Sequence, residues 1–171
     1  MGGYVLHALL DYYPEKVSAA MFIVTRSVDD LPDGKKVRTF LAESVINGDV
    51  RDVADYFEPA LFCSRTLNEK PQLVGTVKEW MESTSPQAII GALIGMRDRK
   101  NYLSQLGQFR VPSLVIGGEL DTCISPDHAK ETAKCLPRAK LKIIHGAGHM
   151  ANMEESLEFN NVLYEFLCSI K

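Results

Sequence analysis

Apolar positions change their spacing along this chain, and each change marks an element. Val5, Leu6, Leu9 and Leu10 recur at helical spacing, which predicts a helix over residues 3–12, stopped by Pro14. Residues 17–24 form a short apolar run, the pattern of a buried strand. A polar turn with Asp29, Asp30, Pro32, Asp33 and Gly34 closes it. The pattern over 34–107 is then helical throughout. One helix is predicted over 34–46, stopped by Asn47-Gly48, and a second over 50–57, ending ahead of Pro59. A third covers 71–82. The next has Ser85 as N-cap and Pro86 in its first position, with Ile89, Ile90, Leu93 and Ile94 as its apolar side. A last short helix covers 101–106.

Strands and helices alternate again after that. Residues 113–116 read as a buried strand entered through Val111-Pro112. Ser125-Pro126-Asp127 starts a helix to about residue 136, and 140–144 is another strand. Residues 154–169 form a closing helix with Leu157, Val162, Leu163, Phe166 and Leu167 on its apolar side. This order predicts an α/β fold, a parallel sheet with helices on its faces. It also predicts three segments: a core segment 1–28, a helical insert 29–108 and a second core segment 109–171.

Composition narrows the classes of function. The net charge of −3 comes with no basic stripe to neutralise phosphates, so a nucleic-acid partner is not expected. No run is long and apolar enough to span a bilayer. Residues 1–13 lack a basic n-region and a small-residue cleavage site, and Leu6 stands where an acylation signal wants Ser or Thr. Cys63, Cys123, Cys135 and Cys168 are scattered, without C-x-x-C spacing or a His at ligand spacing. They read as reduced thiols of a cytoplasmic protein, with no metal and no organic cofactor implied.

Two residues carry the candidate chemistry. Asp121 follows an apolar strand and Gly117-Gly118; His149 follows the last strand within Gly146-Ala147-Gly148. Catalytic groups of parallel sheets gather at the carboxyl ends of strands. An Asp placed there can accept an imidazole N–H and fix its tautomer, and the His can act as a general base near neutral pH. One helix and one strand separate the two, so neighbouring strands can bring them together. His145 lies nearby at a strand end, His128 at a helix start and His7 on the first helix, all weaker candidates. Cys123, close to Asp121, reads as a packing residue.

These residues carry a resemblance. Met1-Gly2-Gly3-Tyr4 is similar to the residues after the serine in the G-x-S-M-G-G-x nucleophile elbow of α/β-hydrolases. That family's chain order is nucleophile, acid, histidine. The run Val111-Pro112-Ser113-Leu114-Val115-Ile116 leading to Gly118-Glu119-Leu120-Asp121 and Pro126 fits it, as does the helical insert, which matches the family's cap. The chain resembles the C-terminal part of a small esterase or lactonase of the 3-oxoadipate enol-lactonase kind, beginning just after the elbow. The resemblance implies a Ser-Asp-His triad in the intact parent, hydrolysing a carboxylic ester or lactone, with Asp121 as acid and His149 as base. Met1 would fall on the oxyanion-hole position, as a free amine in place of an amide. With the nucleophile and the first strands upstream, the 171 residues alone are expected to be inactive and marginally stable, needing oligomerisation or a complementing N-terminal half. A non-catalytic, partner-binding remnant stands as an alternative, as does another reaction on the scaffold, dehalogenation or carbon–carbon hydrolysis. For substrate contacts the reading takes Arg26, with Thr25, after the first strand, and Trp80, Met81 and Met96 on the cap. Phe57 and Phe62 are further pocket walls. Arg26 is the residue suited to a substrate carboxylate.

Overall fold

Three short strands run parallel in the order β1-β2-β3: β1 (Ala20–Ile23), β2 (Ser113–Gly118) and β3 (Ala139–Ile144). The structure is a computed structural model and describes residues 1–48 and 50–170. Ala20 stands opposite Ser113, which stands opposite Ala139, and the ladder runs on to Gly118 opposite Ile144. β2 is buried at every position, as a central strand covered on both faces must be. β3 lies at one edge, where Lys140 and Leu141 are exposed. β1 lies at the other, its outer side unpaired among the described residues.

Helix α1 (Gly2–Tyr12) precedes β1. Between β1 and β2 lie α2 (Pro32–Ile46), α3 (Arg51–Leu61), α4 (Ser64–Glu69), α5 (Pro71–Glu82), α6 (Pro86–Arg97) and a 3₁₀ segment, Leu103–Gln108. α7 (Pro126–Cys135) joins β2 to β3, and α8 (Ala151–Glu154) and α9 (Ser156–Ser169) come after β3. One sheet face packs Phe22 and Val115 against Leu10 of α1, Ala129 of α7 and Leu106. The other packs Leu114, Ile116 and Ile144 against Phe159 and Phe166 of α9. The helices between β1 and β2 have a small core of their own, with Leu41, Val45, Val53 and Leu93. No helix among the described residues is long and apolar enough to cross a membrane.

Several boundaries differ from those the pattern predicts, each for a local reason. β1 is shorter than 17–24, because Val17 caps a 3₁₀ turn by donating to the Pro14 carbonyl at 3.2 Å. α3 runs through Pro59 to Leu61 instead of ending at residue 57. Pro59 falls in the last turn, where its missing N–H forfeits one bond and not a whole ladder. α4 is an element the pattern did not single out. Residues 101–106 give way to the 3₁₀ segment, and the closing helix is two helices broken at Glu155.

Candidate active site

The carboxyl ends of β2 and β3 meet because one of them carries no side chain. A Cβ on Gly118 would stand 2.2 Å from the Gly148 carbonyl oxygen. With glycine there, the loop after β2 lies directly on the loop after β3. The Leu120 N–H donates to the Ala147 carbonyl at 2.8 Å, and the Glu119 N–H to that of Ile144 at 3.0 Å. Asp121 and His149 emerge from these two loops side by side.

His149 Nδ1 donates to Asp121 Oδ2 at 2.8 Å. The other carboxylate oxygen, Oδ1, accepts from the Cys123 and Ile124 amides, each at 2.8 Å. The Asp121 side chain is fully enclosed, while that of His149 is 21% exposed. An ionised carboxylate only accepts, so the imidazole bears its proton on Nδ1 and turns a lone pair outward from Nε2. Among the described residues Nε2 has no partner. The loop is fixed from behind by Glu154, which is buried. Its Oε1 accepts from the Gly148 amide at 2.8 Å and its Oε2 from the Cys63 amide at 2.9 Å. Gly148 packs so tightly on the 62–63 backbone that a Cβ would fall 2.6 Å from the Cys63 nitrogen.

His149 opens onto a cavity of about 350 Å³ whose walls include Met1, Gly3, Thr25, Arg38, Phe57 and Met96. The start of α1 thus faces the imidazole. Gly3 lies against Thr25, where a Cβ would come within 2.3 Å of Oγ1. Thr25 follows Val24, a β-branched residue held at φ +42°, a conformation that costs about 1–3 kcal/mol and persists where the surroundings impose it. Two more cavities adjoin. An apolar one of about 340 Å³ shares Met1, Phe57 and Met96 and adds Met81 and Leu93. A larger one of about 740 Å³ shares Arg38, Phe57 and Cys123 and adds Arg26 and Asp30.

The other sequence candidates fall in different places. Arg26 lines the large cavity and is ion-paired with Asp30. Met81 and Met96 line the apolar cavity. Trp80, on α5, is 56% exposed and lines none of the three. Phe62 is buried in packing. His145 is exposed beside Glu119, and His128 stands near Glu131 on α7. His7 is buried: its Nδ1 donates to the Gly3 carbonyl at 2.6 Å, so its Nε2 accepts from Ser27, whose oxygen accepts from Thr132. This Ser–His contact is closed to any substrate and ties α1 to α7. Burial, more than the neighbouring Asp121 carboxylate, pushes the Cys123 thiol up from its ordinary range, which leaves it unreactive. Burial also holds the Met1 amino group below its usual value. Sequence reasoning missed Glu154, Arg38 and Asp30; none belongs to a motif, and the contacts that set their roles, Cys63 with Glu154, Phe57 with Arg38 and Arg99 with Asp30, are made only in the fold.

Comparison with known proteins gives a consistent picture. The sequence model of one protein family, the alpha/beta hydrolase fold, matches residues 1–156. The chain is 27% identical over 168 residues to the dihydrolipoyllysine-residue acetyltransferase component of an acetoin cleaving system from Pseudomonas putida, covering 98% of this chain and 43% of that one. It superposes on an esterase from Thermogutta terrifontis, solved with malate bound, with a TM-score of 0.95 and 26% identity, covering 99% of this chain and 62% of the esterase. An enol-lactonase from Burkholderia xenovorans LB400 superposes with a TM-score of 0.89 at 20% identity, covering 99% and 63%, a likeness of fold alone. The chain spans less than two thirds of the length of each of these proteins.

Proposed function

The chain belongs to the α/β hydrolase fold family, and on that premise we propose that it supplies the acid–base half of a serine-type hydrolase acting on a carboxylic ester or lactone. The observation that carries this reading is the Asp121–His149 hydrogen bond at 2.8 Å, with Nε2 unpartnered among the described residues and facing a cavity. His149 takes the proton of an attacking hydroxyl and returns it to the leaving group; Asp121 fixes the tautomer and stabilises the imidazolium. The nucleophile is a serine contributed from the N-terminal side of α1. Met1 and Gly3 line the His149 cavity, so a residue joined ahead of Met1 would enter the space that the imidazole faces. The next backbone amide, at position 1, would then help bind the oxyanion, provided it is an amide and not a terminal amine. The apolar cavity with Met81 and Met96 takes a hydrocarbon limb of the substrate, and α2 to α6 act as the cap. The unbridged cysteines favour a reducing, cytoplasmic setting.

The test is a chimera. The N-terminal segment of the Thermogutta esterase, up to the position that superposes just ahead of Met1, is joined to this chain with a serine as its last residue. Hydrolysis of p-nitrophenyl butyrate is then followed with and without His149→Ala. The reading expects turnover that falls by about 10³-fold or more in the variant, and no turnover by the 171 residues alone. A folded chimera that is inactive, or that works equally well without His149, contradicts it.

A further inference from the structure

Arg38 stands where two cavities meet. It lines both the one that holds the His149 imidazole and the larger one beside it. Its Nε donates to Asp30 Oδ2 at 3.3 Å, and its guanidinium lies 5.4 Å from the centre of the Phe57 ring. These two contacts fix the plane of the fork. Its two terminal amino groups have no acceptor among the described residues, although the side chain is only 13% exposed. A mostly enclosed guanidinium whose unused donors open onto a cavity is placed to receive an acceptor from a molecule in that cavity.

The charge around it is unfinished as well. Asp30, 3% exposed, accepts from three arginines: Arg26, Arg38 and Arg99. One carboxylate cannot balance three guanidinium groups. The remaining acid on the cavity wall, Asp33, is 92% exposed and paired with Lys36. Arg26 Nε is buried without a partner, so the donors outnumber the acceptors as the charges do. The first turn of α2, Pro32 to Gly34, lines the same space and adds the positive end of a helix dipole.

We infer that Arg38 is a carboxylate-binding subsite, and that the substrate is an ester carrying a free carboxylate on one limb and a hydrocarbon on the other. The planar fork, with one edge free, matches a carboxylate through two parallel hydrogen bonds. The order of the cavities sets the order of the groups. The carboxylate lies at Arg38, the ester carbonyl lies at His149, and the hydrocarbon lies between Met81 and Met96. This rests on the hydrolytic reading of His149 for the placement of the ester, though not for the binding of the anion.

The test uses the chimera with its joining serine replaced by alanine, so that neither probe is turned over, and two probes, monobutyl glutarate and its neutral methyl butyl diester. Binding is measured by calorimetry at low and high salt, while ¹⁵N NMR follows the His149 ring. The half-ester is expected to bind about tenfold tighter than the diester at low salt, with the margin shrinking as salt rises. Arg38→Gln abolishes the margin. Arg38→Lys, which keeps the charge and loses the fork, retains part of it and decides the matter if the Gln variant does not fold. Equal binding of the two probes, no binding of the half-ester, or a margin that survives Arg38→Gln overturns the subsite. The ring signals separate the two readings. An Arg38-dependent margin with an unmoved imidazole supports the subsite and contradicts the hydrolytic role of His149. An imidazole that responds equally to both probes, with no margin, does the reverse.

Discussion

An enclosed carboxylate with three hydrogen bonds has no room to reorient, and Asp121 imposes that rigidity on His149. Asp121→Ala in the chimera should therefore lower kcat by about 10³-fold or more while leaving KM within a few fold, since the carboxylate touches the imidazole and not the substrate. Glu154 is the second support. Glu154→Gln turns an N–H donor toward one of two buried amides, so chemical unfolding should show a loss of about 1–3 kcal/mol. His7 gives a pH signature. Burial lowers its protonation below the ordinary value of 6.5. Above that pH both folded and unfolded chains hold it neutral, and its full contribution is present. As the pH falls below about 6.5 the unfolded chain is protonated first, and stability drops by up to about 1.4 kcal/mol per pH unit until the lower folded value is reached. Urea unfolding at pH 7.5 and 5.5 should show this loss in the parent and a smaller one in His7→Gln. Asp121 and His149 were legible in the sequence because each follows a strand and small residues. Glu154 was not, because its two donors lie 6 and 91 positions away. Arg38 carried no signal, because only the packing of α2 against α3 sets its fork beside Phe57 and the cavities.

Elements place these residues through close approach. The loop after β3 lies against the end of β2 because Gly118 carries no Cβ, and against residues 62–63 because Gly148 carries none; backbone occupies the space each would need. Backbone cannot rotate away as a side chain can. Gly118→Ala should thus cost about 3 kcal/mol or more, seen as a lower urea midpoint or loss of soluble protein, and His149 should lose its Asp121 contact. Periodicity located the long elements well: α2, α5, α6 and β2 differ from the pattern by a few residues. It misjudged α3, since proline in a final turn breaks only one bond. It also overran β1, because apolar residues beside a 3₁₀ turn look like strand. α4 has just six residues, too few to show a period.

At the scale of the whole molecule, the site sits beside an open sheet edge. Among the described residues β1 pairs only with β2, and α1 with the turn after it leaves Val5, Tyr12 and Tyr13 exposed at 62%, 68% and 51%. At about 25 cal/mol per Å², a few hundred Å² of such surface costs several kcal/mol. Sedimentation velocity should show the isolated chain associating beyond its 19.0 kDa monomer as concentration rises, and the chimera, with that edge paired, staying monomeric. The parallel sheet and the order of its parts were legible, since strand and helix alternate. The way two further cavities adjoin the one at the imidazole was not, since it depends on how α2, α3 and α6 pack. All of the proposed function passes through that imidazole. The direct measurement is its ¹⁵N NMR spectrum at neutral pH. The account predicts a proton on Nδ1 and a bare Nε2, with this preference lost in Asp121→Ala. A proton resident on Nε2, or a spectrum unchanged by the substitution, would contradict it.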